Sequence, residues 1–138
     1  MRREKFAAID VGLKRIGVAL CLDGTTVLPQ PAILRRNRNQ AAQDIAAFVS
    51  EWEIEVLVVG LPRGGSSEAE MERRIRHFVS LLELPEEIDI RYQDEAGSSA
   101  EAKEQMAGAM RQKRDGRIDS LAAKIILERW LAAQKAAE

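Results

Sequence analysis

Phe6-Ala7-Ala8-Ile9-Asp10-Val11-Gly12-Leu13-Lys14-Arg15-Ile16-Gly17-Val18-Ala19-Leu20 opens the chain with two apolar runs of strand length around a short polar turn. The pattern predicts a β-hairpin with strands over 5–11 and 15–22. Asp10 interrupts the first run. Burying a carboxylate costs several kcal/mol, on the order of a whole domain's net stability, unless a cation or hydrogen-bond donors compensate it. Gly12 and Gly17 allow a tight turn and let a second strand lie close, so Asp10 should project from a sheet near the hairpin end. A metal ion or a phosphate-bearing ligand suits such a position. Pairing of Asp10 with Lys14 or Arg15 is the plainer alternative.

Outward from the hairpin, residues 25–34 extend it as a third strand. Pro29 and Pro31 cannot donate to a central ladder, which places that strand at the sheet edge. From Asn39 to Trp52 the apolar positions Ala42, Ile45, Ala46, Phe48, Val49 and Trp52 recur at helical spacing. Val56-Leu57-Val58-Val59-Gly60 is continuous and apolar, the mark of a parallel strand covered on both faces. A second helix follows, with Ser67 and Glu70 as its capping box and Met71, Ile75, Phe78, Val79 and Leu82 as its stripe. A short strand runs from Ile88 to Tyr92. Ser98 and Glu101 form another capping box, opening an exposed helix to Met110. Ile118, Leu121, Ala122, Ile125, Ile126, Trp130 and Leu131 then mark an amphipathic last helix with a polar, Ala-rich tail. The order β-β-β-α-β-α-β-α-α is a three-strand meander followed by βα units, an α/β domain occupying 1–138.

With 138 residues the chain suits one domain, and 46% apolar with 31% charged residues is a globular composition. Its formal net charge of -1 leaves nucleic-acid binding to local basic patches: Lys14 and Arg15; Arg35, Arg36 and Arg38; Arg73, Arg74 and Arg76; and Arg111 through Arg117. Each patch has a solvated face as its plain alternative. The single cysteine, Cys21, excludes an internal disulfide and reads as buried filler. No stretch has the apolar core of a signal peptide or membrane span, and a reducing cytoplasm is the expected location. His77 reads as a helix surface residue. The loop from Gly60 to Ser67 leads into a helix N-terminus, which favours phosphate, but it lacks the spaced Gly-Lys-Ser of a P-loop.

Gln93-Asp94-Glu95 follows the last strand, where ligands of open parallel sheets collect, and Asp119 opens the last helix. If strands one and four are central neighbours, Asp10, Glu95 and Asp119 converge. An all-oxygen donor set without His or Cys indicates Mg²⁺ or Mn²⁺ rather than zinc. Taken singly, Asp119 is explained as a helix N-cap, and Asp94 and Glu95 as a polar loop.

These segments resemble the YqgF (RuvX) family, described as Holliday-junction resolvases and pre-16S rRNA nucleases. The similarity rests on Asp10-Val11-Gly12-Leu13-Lys14-Arg15-Ile16-Gly17-Val18-Ala19, Val58-Val59-Gly60-Leu61-Pro62, Asp94-Glu95 and Arg117-Ile118-Asp119-Ser120-Leu121-Ala122-Ala123. The resemblance implies a ribonuclease H-like fold, a five-stranded mixed sheet flanked by helices, with the acidic site on Asp10, Glu95 and Asp119. Ala96 stands where the family usually has arginine, Gly97, Ser98 and Ser99 where it often has threonines, and Arg63-Gly64-Gly65 where an Asn-containing stretch is usual. These departures bear on phosphate contacts more than on metal ligands.

The expected chemistry is phosphodiester hydrolysis with two divalent ions about 4 Å apart sharing Asp10. Lys14, Arg15, Arg63, Arg114 and Arg117 are the expected phosphate holders. Structured RNA or branched DNA is the expected partner, with the ribosomal small-subunit precursor as the specific case and a monomer or homodimer as the working unit. The rivals are a junction resolvase, a non-catalytic nucleic-acid-binding module acting in transcription, and an actin-like ATPase. The last needs two such domains, and 138 residues leave no room.

Overall fold

The computed structural model describes residues 4–62, 68–95 and 117–137. Within them lie five strands, β1 (Phe6–Val11), β2 (Arg15–Cys21), β3 (Leu28–Leu34), β4 (Val56–Leu61) and β5 (Asp89–Asp94). Three helices accompany them, α1 (Arg38–Glu51), α2 (Glu68–Ser80) and α3 (Arg117–Ala137). The strands form one mixed sheet in the order β3-β2-β1-β4-β5. β1, β2 and β3 make the antiparallel meander, while β4 runs parallel to β1 and β5 parallel to β4. β1 is therefore the middle strand, beside β4, and proline-bearing β3 is an edge.

Alternation along the strands assigns each residue to a face. One face carries Ile9, Val11, Ile16, Val18, Leu20, Leu57 and Val59, packed against Ile45 and Val49 of α1 and Ile75, Phe78 and Val79 of α2. Each large apolar side chain buried in this way contributes roughly 1.5–3 kcal/mol. The other face is built from small residues, Ala8, Ala19 and Cys21 beside Val56 and Val58, and receives Ala123, Ile126 and Leu127 of α3. α3 crosses all five strands. A row of small residues beneath it lets the helix lie close to the sheet, and Phe6 anchors its far half against Trp130, ring centroids 5.6 Å apart.

Several boundaries differ from the sequence expectation for local reasons. α1 begins at Arg38 because Asn37 caps it: Asn37 Oδ1 accepts the Gln40 N–H at 2.8 Å and Gln40 Oε1 accepts the Asn37 N–H at 3.3 Å. β5 continues to Asp94, since its parallel register with β4 runs through Leu61↔Asp94. The Ala-rich tail is helical to Ala137, as high intrinsic propensity predicts where apolar periodicity has ended. Cys21 is buried and His77 exposed, as expected. Among the described residues no helix is long and apolar enough to cross a membrane. The helix expected over 98–110, both loop caps at Ser67 and Ser98, and Ala96 lie outside the described residues.

Candidate active site

Asp10 is the penultimate residue of β1 and lies on the α3 face, where it is half-buried. Its cross-strand partner on β2 is Gly17, and since Ile9 pairs with Val59 on β4, the next position there is Gly60. Two glycines thus flank the carboxylate, and each admits another part of the site. A Cβ on Gly17 would stand 1.9 Å from the Asp119 carbonyl oxygen and 2.8 Å from the Ser120 nitrogen, so only glycine lets the first turn of α3 settle on β2. A Cβ on Gly60 would stand 2.5 Å from Ile126 Cδ1 and 2.8 Å from Glu95 Oε2. Gly60 therefore leaves the space that the Glu95 carboxylate occupies.

Backbone bonds hold these pieces in register. The Glu95 N–H donates to Leu61 O at 2.9 Å, which carries the chain past β5 alongside β4. The pairing of β2 with β3 shifts between Ile16 and Val18, and at this irregularity the Val18 N–H donates to the buried Ser120 hydroxyl at 3.3 Å. That bond ties the start of α3 to β2 across 102 positions of sequence. Asp119 is the third residue of α3 rather than its N-cap, and an acidic residue in the first turn is favoured by the helix dipole.

Electrostatics shows how near the three acids come. Burial pushes the Asp10 carboxyl well above its ordinary value of 3.8, and the Glu95 charge, a hydrogen bond with the Glu95 side chain, and the Asp119 charge add to the shift in that order. The structure thus brings Asp10, Glu95 and Asp119 into one electrostatic neighbourhood at the carboxyl end of the central strands. Arg15 pairs with Asp119, Nε to Oδ2 at 3.0 Å, and not with Asp10 as the plainer alternative had it. Lys14 and Arg117 are exposed nearby in sequence, at the hairpin turn and at the start of α3. Arg63 and Arg114 lie outside the described residues.

The donor set fits a hard divalent cation: carboxylate oxygens only, crowded so that their mutual repulsion calls for a positive charge. Among the described residues no group of three His, Cys, Asp or Glu side chains is already arranged around a single point to hold a metal ion. Sequence reading named the three acids that the structure brings together but missed Ser120 and the role of Gly60. The available signals were a lone hydroxyl beside Asp119 in an apolar helix stripe, and a glycine ending an otherwise branched strand.

The family model described as "RuvX: Holliday junction resolvase" matches residues 4–133. A protein of Sulfurovum sp. (strain NBC37-1) is 70% identical over 128 residues, covering 93% of this chain and 98% of the relative. One of Sulfurimonas denitrificans is 51% identical over 127 residues, covering 92% of this chain and 96% of the relative. Both are named "Putative pre-16S rRNA nuclease". Among solved structures, the fowlpox virus Holliday junction resolvase aligns with a TM-score of 0.58 at 10% identity, covering 94% of this chain and 99% of that one. RuvC of T. thermophilus, bound to a Holliday junction substrate, aligns with a TM-score of 0.52 at 11% identity, covering 96% of each chain. At such identities the likeness concerns the fold, and that fold is the ribonuclease H-like one. The family match and the two close relatives span nearly the whole sequence, and this chain belongs to the RuvX family.

Proposed function

We propose that the chain is a divalent-metal-dependent endonuclease acting on structured nucleic acid, with 5'-end processing of pre-16S rRNA in the cytoplasm as its reaction. The observation that carries this is the crowding of Asp10 by Glu95 and Asp119 at a place where Gly17 and Gly60 let α3 and the Glu95 carboxylate come close. Crowded, partly buried carboxylates cost stability unless a positive charge compensates them. The names borne by the close relatives support the choice of RNA.

Asp10, Glu95 and Asp119 are the residues that would hold Mg²⁺ or Mn²⁺. When bound, the cation would supply a neutral-pH nucleophile and neutralise charge on the scissile phosphate. Arg15 has the complementary task. Its guanidinium pairs with Asp119, and were Asp119 to hold a cation, Arg15 would be free to take a phosphate oxygen. Lys14, Arg63, Arg114 and Arg117 are the further phosphate holders of this proposal, and the first turn of α3 adds the positive end of a helix dipole.

A second reading, resolution of four-way DNA junctions, is favoured by the family model's own description. One experiment separates the two. A pre-16S RNA 5' precursor and a synthetic four-way junction are incubated with the protein in Mn²⁺ and in EDTA. Metal-dependent cutting of the RNA alone is the expected result. Cutting of the junction alone transfers the assignment to the resolvase reading, and binding of either substrate without cutting makes the chain a non-catalytic module.

A further inference from the structure

The end of the sheet that carries the acids also opens onto its opposite face. There the β1–β2 turn and α2 wall a cleft of about 540 Å³ in which, among the described residues, Leu13, Arg35, Arg38, Arg73 and Arg74 meet a single carboxylate, Glu70. Glu70 is bound to Arg74 at 2.7 Å. Among the described residues no carboxylate pairs with Arg35, Arg38 or Arg73. Arg35 is held ready: it donates to Gly12 O at 2.8 Å and its guanidinium lies 5.3 Å from the centre of the Phe78 ring. Burial presses its pKa downward, and the neighbouring Arg38 charge adds to the shift. A chain with a net charge of -1 does not gather four arginines in one concavity as a by-product of bulk composition.

Leu13 explains which anion fits. It is 65% exposed at the tip of the turn, three residues along the chain from Asp10, and offers an apolar surface in the cleft beside the arginines. A polyanion with flat apolar groups between its charges matches an exposed apolar side chain set beside arginines, whereas a small inorganic anion uses only the arginines. We propose that the cleft binds single-stranded nucleic acid, namely the unpaired flank of the substrate, which passes from the carboxylates over Leu13 to the arginines. The proposal rests on the nuclease reading for the identity of that strand, but its test does not require cleavage.

Arg38 and Arg73 are exposed and make no ion pair among the described residues, so Arg38→Ala/Arg73→Ala should fold with an unchanged thermal midpoint. Binding of fluorescent oligo(A) and oligo(U) RNA is measured by anisotropy in EDTA at several salt concentrations. The double variant should weaken binding of both oligomers about tenfold and lower the slope of log K against log salt by about 1.4, at about 0.7 per lost phosphate contact. Unchanged affinity and slope overturn the proposal. So does a result in which the variant loses binding of an acidic oligopeptide while keeping both RNAs. Because the readout is metal-free, a wild type that never cuts defeats the nuclease reading alone, and a wild type that cuts but ignores these substitutions defeats the cleft alone.

Discussion

Asp10→Asn is expected to end metal-dependent cleavage, a loss on the order of 10³-fold, and at the same time to stabilise the metal-free protein. The two effects have one cause. Asp10 is raised by burial first and then by the acids beside it, so its charged form is disfavoured in the fold. For an acid whose folded value exceeds its unfolded one, the native state holds the proton more tightly. The associated stability is present below the unfolded value of 3.8 and is lost as pH rises through the raised folded value. Wild type in EDTA should therefore lose stability between mildly acid and neutral pH, and Asp10→Asn should lose less of it. Urea unfolding at both pH values, with and without Mn²⁺, checks this. Added Mn²⁺ should stabilise wild type and leave the variant unmoved. A variant less stable than wild type at neutral pH in EDTA would show that Asp10 is a structural group satisfied by its neighbours.

The second large effect is expected at Gly17. In Gly17→Ala the new methyl would meet main-chain atoms, the Asp119 carbonyl oxygen at 1.9 Å and its carbon at 2.2 Å, and no side-chain rotation relieves that. The first turn of α3 must lift from β2, breaking the Ser120 bond to Val18 and carrying Asp119 away from Asp10. A cost of about 3 kcal/mol in urea unfolding is expected, together with loss of the Mn²⁺ effect. Gly24→Ala serves as the comparison. Gly24 has φ +82° but nothing within 4 Å of its Cβ position, so it should lose only about 1 kcal/mol and keep the Mn²⁺ effect. Equal losses at the two positions would mean that backbone freedom, and not the approach of α3, is what Gly17 provides.

Much of this architecture is legible in one dimension because it follows from local rules. Pro29 and Pro31 send β3 to an edge, the unbroken run at Val56–Val59 demands cover on both faces, and the Asp10 hairpin declares itself through its glycines. The ends of elements are less legible where partners decide them. β5 reaches Asp94 through its register with β4, although its own residues alternate weakly. Asp119 looks like a cap in the sequence because nothing local shows that α3 starts at Arg117. The site itself is legible as a list of acids but not as a geometry. The Arg15–Asp119 pair spans 104 positions, and the closeness that Gly17 and Gly60 permit is a distance between elements that no spacing encodes.

The central claim is that Asp10, Glu95 and Asp119 close around a divalent cation. It is tested most directly by a crystal grown in Mn²⁺ and measured at the manganese absorption edge. An anomalous peak within ligating distance of Asp10 and of at least one of the other two, with Arg15 moved off Asp119, is the predicted result. Full manganese loading elsewhere, with the Arg15–Asp119 bond intact and no peak beside Asp10, would contradict it.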